Sequence, residues 1–277
     1  MRKTVLFTGA TGGLGTLCVK ALAESQRWSV FAAGTNEAAL AKLGELPNVI
    51  PVPMDITSQA SVDAARTAVL AHTDTLDAIV NFAGLTAFTS LVEGESVEMI
   101  ERLLNVNITG AARVNRSFFA LVQKGRGRIL HCSSESGWMT PQPFAGPYVL
   151  SKYALEAYND SLRRELMFLG IPVIKIQPGS YETHITQQVN EGFDRALAQT
   201  HYYQTILAKM KPLMVMELSQ KNDPDKLVKT VLRAMEAKHP KLAYRVGTGK
   251  MLALLELLPE KGVDVIYQLM FKLFLKG

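Results

Sequence analysis

The stretch Lys3-Thr-Val-Leu-Phe-Thr-Gly-Ala-Thr-Gly-Gly-Leu-Gly15 decides the fold. Lys3 to Phe7 reads as a short buried strand, and Leu14, Leu17, Cys18, Ala21 and Leu22 then recur at helical spacing. Strand, glycine-rich turn and helix, in that order, are the context in which such a turn holds a dinucleotide. Gly9 permits the tight turn, while Gly13 and Gly15 let backbone and helix approach a pyrophosphate with no Cβ between. The helix N-terminus offers its N–H groups and a favourable dipole to phosphate oxygens. Thr8, Thr11, Gly12 and Leu14 are assigned to the same cofactor turn. An ordinary glycine-rich turn is the competing reading, and the flanking strand and helix weigh against it.

Strand and helix patterns alternate beyond this turn, which argues for a parallel sheet covered on both faces. Strands are expected near 3–8, 29–33, 49–54, 76–81, 127–133, 173–177 and 242–246. Helices are expected near 14–25, 37–44, 59–71, 97–123, 148–169 and 225–237. Val49-Ile-Pro-Val-Pro-Met54 tests the topology, because Pro51 and Pro53 direct their missing N–H groups to the same side. Proline is tolerated on an edge strand whose N–H side faces solvent. The third strand is that edge in the order 3-2-1-4-5-6 of a Rossmann sheet. The fold class expected is α/β: one Rossmann domain with a doubly wound parallel sheet of about seven strands and a C-terminal helical lid and tail. Residues 1–184 would form the dinucleotide-binding and catalytic core, 185–222 the lid, and 223–277 the last helix, strand and tail.

A second constellation lies in Cys132-Ser-Ser-Glu-Ser-Gly137 and Tyr148-Val-Leu-Ser-Lys152. Four residues apart on a helix, a phenol and an ammonium share one face. A phenol exchanges protons near neutrality only with help, and a neighbouring cation provides it. A serine hydroxyl at a strand end could hydrogen-bond the same substrate oxygen. Taken alone, the Tyr-x-x-x-Lys spacing is weak evidence, since both residues are common on half-buried helices.

The turn spacing Thr8-Gly-x-x-x-Gly-x-Gly15, together with Tyr148-x-x-x-Lys152, resembles the short-chain dehydrogenase/reductase family. The resemblance covers about residues 3 to 185 and continues in order. Asp55 and Ile56 match the aspartate segment that contacts adenine. Asn81-Phe-Ala-Gly84, with Ala83 and Gly84 among its cofactor residues, matches Asn-Asn-Ala-Gly, Phe82 replacing the second Asn. Asn107 matches the helix asparagine of the catalytic tetrad. Pro178-Gly179 followed by Thr183 matches the Pro-Gly-x-x-x-Thr that holds the nicotinamide amide. The layout looks like the retinol and hydroxysteroid dehydrogenase branch.

The resemblance implies hydride transfer between nicotinamide and a carbonyl or alcohol carbon. Tyr148 would be the general acid or base, Lys152 its electrostatic support and the holder of the ribose hydroxyls, and Ser134 the group polarising the substrate oxygen. Asn107 would bind a water linking Lys152 to solvent, using a kink in its helix. Relatives usually separate serine and tyrosine by thirteen residues, which lands here on Glu135. Gly137 fits Ser134 in a Ser-x-x-Gly match, so Ser134 is assigned and one inserted residue is expected within 138–147. Trp138 to Phe144 would line the pocket. Thr35 occupies the place where the ribose is usually read, without the carboxylate that selects NAD(H) or the arginine that selects NADP(H). Either cofactor is expected, with NADP(H) slightly favoured. Thr35 or Asn36 could equally be a helix cap.

At 277 residues, 48% hydrophobic and 20% charged, the chain is globular with ample core. Its net charge of +5 is scattered, without the basic stripe that nucleic acid requires. Cys18 and Cys132 suggest neither disulfide nor metal site, and the five histidines form no ligand-spaced pair. A cytoplasmic location is expected, since a strand starting at Lys3 leaves no room for a signal peptide. There is no Gly-x-Ser-x-Gly, which counts against a hydrolase.

The lid stretch includes His184, Phe193, Tyr202, Tyr203, Leu207 and Met210, and suits a hydrophobic substrate. Residues 263–276 form an amphipathic segment that could pack on the body, on a partner subunit or on a membrane surface, with packing favoured. A homodimer or homotetramer is expected from the resemblance. The competing function is a catalytically silent dinucleotide-binding regulator. An intact Asn107, Ser134, Tyr148 and Lys152 set argues against it, because a sensor needs only the glycine turn.

Overall fold

Alternate residues of the first strand enter opposite hydrophobic layers, and this sets the architecture. The structure is a computed structural model and describes residues 2–181, 184–218 and 222–276. Within it, β1 (Lys3–Thr8), β2 (Trp28–Gly34), β3 (Val49–Pro53), β4 (Ala78–Asn81), β5 (Arg128–Cys132), β6 (Val173–Pro178) and β7 (Ala243–Val246) pair in parallel. Their order is β3-β2-β1-β4-β5-β6-β7, a Rossmann sheet extended by one strand. Val5 and Phe7 face one layer with Val30 and Ala32; Leu6 faces the other with Phe31.

Period-two alternation of apolar residues on both faces requires helices on both. On the first face lie α1 (Gly13–Glu24), α2 (Glu37–Gly44) and α9 (Pro224–Glu236), supplying Leu22, Leu40 and Val231. On the second lie α3 (Gln59–Leu70), α5 (Ala111–Gly125) and α6 (Gly146–Leu166), supplying Val62, Phe118 and Leu166. α4 (Ser96–Leu104) packs against α6. The strand order reverses between β1 and β4, where Thr8 and Asn81 end adjacent strands. A crevice opens beyond carboxyl ends at such a reversal.

β3 is the edge, as its prolines require. Met54 donates its N–H to Gly34 O across the pair, so Pro51 and Pro53, of opposite parity, turn their nitrogen side away from β2. The helix expected over 97–123 is present and carries an internal irregularity: residues Asn105–Gly110 form a π-turn between α4 and α5. The apolar spacing runs on through this turn and hides the extra residue. The lid, expected to be helical, consists of two helices, α7 (His184–Gln199) and α8 (Gln204–Leu218). The chain ends in α10 (Lys250–Leu255) and α11 (Glu260–Lys276), and α11 packs on α8. Among the described residues, no helix is long and apolar enough to cross a membrane.

Candidate active site

The first turn is held by the segment that follows β4. Thr8, almost fully buried, accepts from the N–H groups of Phe82 and Ala83 at 3.2 Å each through its Oγ1. Gly9 has φ +67°, and a Cβ there would lie 2.5 Å from Ala83 N. A Cβ on Gly15 would lie 2.1 Å from Gly9 O. These glycines are therefore dictated by the chain's own close packing as much as by any ligand. Gly12 is the N-cap of α1 and has no side chain to offer the first-turn N–H groups of Gly13, Leu14 and Gly15. Leu14 packs on the core, and Thr11 lies against Gly34, where a Cβ would meet its Oγ1 at 2.8 Å.

The adenine end is looser. Thr35 is exposed, and its neighbour Asn36 caps α2 by accepting from Ala39 N at 3.0 Å. Asp55 accepts from Thr57 N and Oγ1 through Oδ1, at 2.8 and 2.7 Å. Ile56 turns its side chain onto Gly110 of the π-turn. At the other end of the crevice, Gly179 donates its N–H to Val246 O, and a Cβ on it would meet Gly247 O at 1.9 Å. Pro178 ends β6. The glycine of Pro178-Gly179 is thus required by the turn after β7. Thr183 lies outside the described residues.

The four proposed catalytic residues come from three elements and converge at the C-terminal ends of β4 and β5. The π-turn presents Asn107, buried, whose Nδ2 donates to Leu85 O (3.0 Å) and Ser151 Oγ (2.8 Å) and whose Oδ1 accepts from Leu85 N (2.8 Å). π-turns inside helices recur at functional sites. Ser151 Oγ in turn donates to Tyr148 O at 2.8 Å. Pro147 at the start of α6 suits a first turn, so Tyr148 and Lys152 sit at the helix mouth. Lys152 is buried; its Nζ donates to Cys132 O at 2.9 Å and lies 5.6 Å from the Tyr148 ring centroid. A Cβ on Gly84 would lie 3.3 Å from Asn107 Oδ1 and 3.7 Å from Lys152 Nζ, so the glycine keeps the space beside the amine open.

Ser134 follows β5, is 7% exposed, and accepts from Ser136 N at 3.1 Å. Ser133 Oγ is buried with no hydrogen-bond partner among the described residues, and its side chain faces Gly137. Gly137 in turn sits against the backbone of Lys152, which seats the serine loop on α6. Trp138 lies under Arg245, whose guanidinium carbon is 3.7 Å from the ring centroid. Phe144 adopts φ +63° and stacks on Phe88 with centroids 5.7 Å apart. Phe88 then meets Phe193 of α7 at 5.2 Å, and Phe144 meets Tyr203 at 5.2 Å. The lid closes on the loop through these rings, whereas Tyr202 is exposed.

Behind the site runs a polar chain of which only Asn81 is among the residues picked out by motif. Asn81 Nδ2 donates to Asn115 Oδ1 (2.9 Å), and Asn115 Nδ2 reaches His131 Nε2 (2.9 Å) and Tyr158 Oη (3.1 Å). His131 Nδ1 lies 2.8 Å from Asn159 Oδ1. Since Asn159 Oδ1 can only accept, the proton of the neutral ring is on Nδ1. Burial lowers the His131 pKa to about 4, the Asn159 bond opposing and Lys152 adding to the shift. Burial pushes the Cys132 thiol up to about 11. The sequence signal was there: polar residues at buried positions of β5, α5 and α6.

A pyrophosphate-sized turn without Cβ atoms, uncapped helix N–H groups and a side-chain-free space beside Lys152 fit a nicotinamide dinucleotide. Among the described residues, no group of three metal-ligating side chains lies together. A cavity of about 360 Å³ opens between the segment after β4 and α7, lined by Leu85, Phe88, Met99, Arg102 and Gly192 among others. A wider one of about 840 Å³, around Arg2, Arg27 and Trp28, opens where the strands begin and holds none of these residues.

A profile of the short chain dehydrogenase family matches residues 3–194. Among similar proteins, retinol dehydrogenase 16 of Homo sapiens is 31% identical over 258 residues, 88% of this chain and 80% of that protein. The 17-beta-hydroxysteroid dehydrogenase type 6 of Homo sapiens is 34% identical over 188 residues, 66% of this chain and 58% of that one. Among solved structures, a short chain dehydrogenase/reductase from Burkholderia phymatum, in complex with NAD, matches with a TM-score of 0.76 at 22% identity. That match covers 95% of both chains and concerns the fold.

Proposed function

The chain belongs to the short-chain dehydrogenase family, and from that premise we propose that Tyr148 exchanges a proton with a lipophilic carbonyl or alcohol substrate during nicotinamide-dependent hydride transfer. Membership of the retinol and hydroxysteroid dehydrogenase branch makes it an NAD(P)-dependent oxidoreductase. The observation that carries the finer reading is the buried Lys152 ammonium, 5.6 Å from the Tyr148 ring and fixed on Cys132 O.

The glycine turn, Asp55, Asn81 to Gly84 and Pro178-Gly179 would hold the dinucleotide, which when bound supplies or accepts the hydride. Tyr148 donates its phenolic proton to the substrate oxygen in reduction and removes one in oxidation. Lys152 stabilises negative charge on the phenol oxygen while that proton is away. Ser134 donates to the same substrate oxygen and stabilises charge developing there. Asn107 holds Ser151, and through it the first turn of α6, against the segment after β4. Its side chain is committed to that task, so any water it holds would be bound by its backbone.

The apolar lid supports a steroid, retinoid or fatty alcohol as substrate class. Exposed Val97, Leu150 and Tyr153 on α4 and α6 support a homodimer through those helices. We assign residues 1–184 to the core, 185–222 to the lid and 223–277 to the last helix, strand and tail, in a cytoplasmic protein. Absorbance at 340 nm, with NADH and NADPH against steroid, retinoid and fatty-aldehyde panels, tests the reaction. Tyr148→Phe is expected to lower kcat at least a thousandfold while retaining dinucleotide binding. Wild-type turnover in that variant would sink the assignment.

A further inference from the structure

Two carboxylates tie the C-terminal segment to the loop that carries Ser134. Glu135 is buried, and its Oε2 accepts from the Gly249 N–H at 2.9 Å. Gly249 begins α10, its carbonyl accepting from Ala253 N at 2.9 Å. At the far end of α10, Glu256 Oε1 accepts from Thr140 Oγ1 at 2.7 Å and also from the Thr140 N–H. Glu135 and Thr140 flank one short loop, and Gly249 and Glu256 flank one short helix. Together they close a ring: loop, Glu256, α10, Gly249, and back to Glu135.

The ring is bolted to α6. Tyr153, one residue beyond Lys152, donates its hydroxyl to Met139 O at 2.7 Å. Burial first, and then the Glu256 charge, push the Tyr153 phenol above its usual range, which keeps it a donor. On the other side, a Cβ on Gly179 would lie 3.1 Å from Glu135 Oε2, so the carboxylate packs directly on the turn after β6. A carboxylate buried beside the serine is tolerated because it is hydrogen-bonded, and bonds to a charged acceptor are the stronger kind.

We propose that Glu135 and Glu256 are positioning residues, bracing the Ser134 loop on α10 so that the serine hydroxyl keeps a fixed place relative to Tyr148. The inference rests on the role given above to Ser134. The C-terminal segment then acts on the proton-transfer geometry through the loop, and not only as a wall of the substrate pocket.

Glu256 is exposed, so Glu256→Ala should fold and break the two hydrogen bonds to Thr140 while leaving the Glu135–Gly249 bond. Its kcat is expected to fall about tenfold with the cofactor KM unchanged. Glu135→Ala should do at least the same, and Glu135→Gln, which keeps an acceptor for Gly249, should recover most of the rate. In a Ser134→Ala background, Glu256→Ala should have no further effect on kcat. An equal fold-loss in both backgrounds, or none in the first, would overturn the proposal. Amide hydrogen exchange reads the brace without turnover. Faster exchange at 136–140 and 249–253 in Glu256→Ala is expected, and unchanged exchange overturns the brace even if the wild type turned over no substrate.

Discussion

His131 shows how much a single buried side chain can commit. Its neutral ring is fully satisfied: Asn159 Oδ1 accepts from the Nδ1–H and Asn115 donates to Nε2. Protonation would place a charge with no acceptor for the second N–H, and burial resists it. The folded pKa of about 4 lies below the usual 6.5. The unfolded chain therefore binds the proton first as pH falls. The stability this ring contributes is complete above pH 6.5 and is lost as pH drops towards 4, by about 3 kcal/mol in all. Urea titrations of the wild type and His131→Asn from pH 7 to 4 check this: the variant should lose less stability across that window. Equal slopes would remove His131 as the cause.

At the scale of elements, the lid is the part whose stability is most local. α7 meets the body through Phe193, whose ring reaches Phe88, and Phe88 in turn stacks on Phe144 of the serine loop. Truncating a buried aromatic costs about 3–5 kcal/mol in a rigid core, and here much of that cost would fall on lid closure. Phe193→Ala is expected to raise the KM for a lipophilic substrate about fivefold, with kcat within about twofold, in steady-state assays. Elements of this kind were partly legible in the sequence. The strands were readable because each buries a continuous apolar run, and Pro51 and Pro53 identified the edge. Asn107 was legible by motif, but its π-turn was not, because Leu104, Ile108 and Ala111 keep a helical spacing across it. The brace was invisible for another reason: nothing local to Glu135 or Glu256 records that they bind the two ends of one ring.

On the scale of the whole molecule, the last helix packs on the lid. Val263 is buried and α11 lies against α8, while Leu257, Val265 and Leu269 are exposed. Deleting residues 263–277 should lower Tm by several degrees without changing sedimentation or liposome flotation. A lower sedimentation coefficient would instead put a partner subunit on this helix, and lost flotation a lipid surface.

The edge strand β3 has a bearing on how this protein fails as well as how it folds. A parallel sheet with seven strands forms slowly, through contacts distant in sequence, and its edges invite other chains while it forms. Pro51 and Pro53 remove two of the outward donors that an incoming strand would need. At the opposite margin β7 offers only four residues. Aggregation by strand addition is thus blunted at one side by chemistry and at the other by brevity, so replacing both prolines should raise the yield of insoluble protein before it changes catalysis.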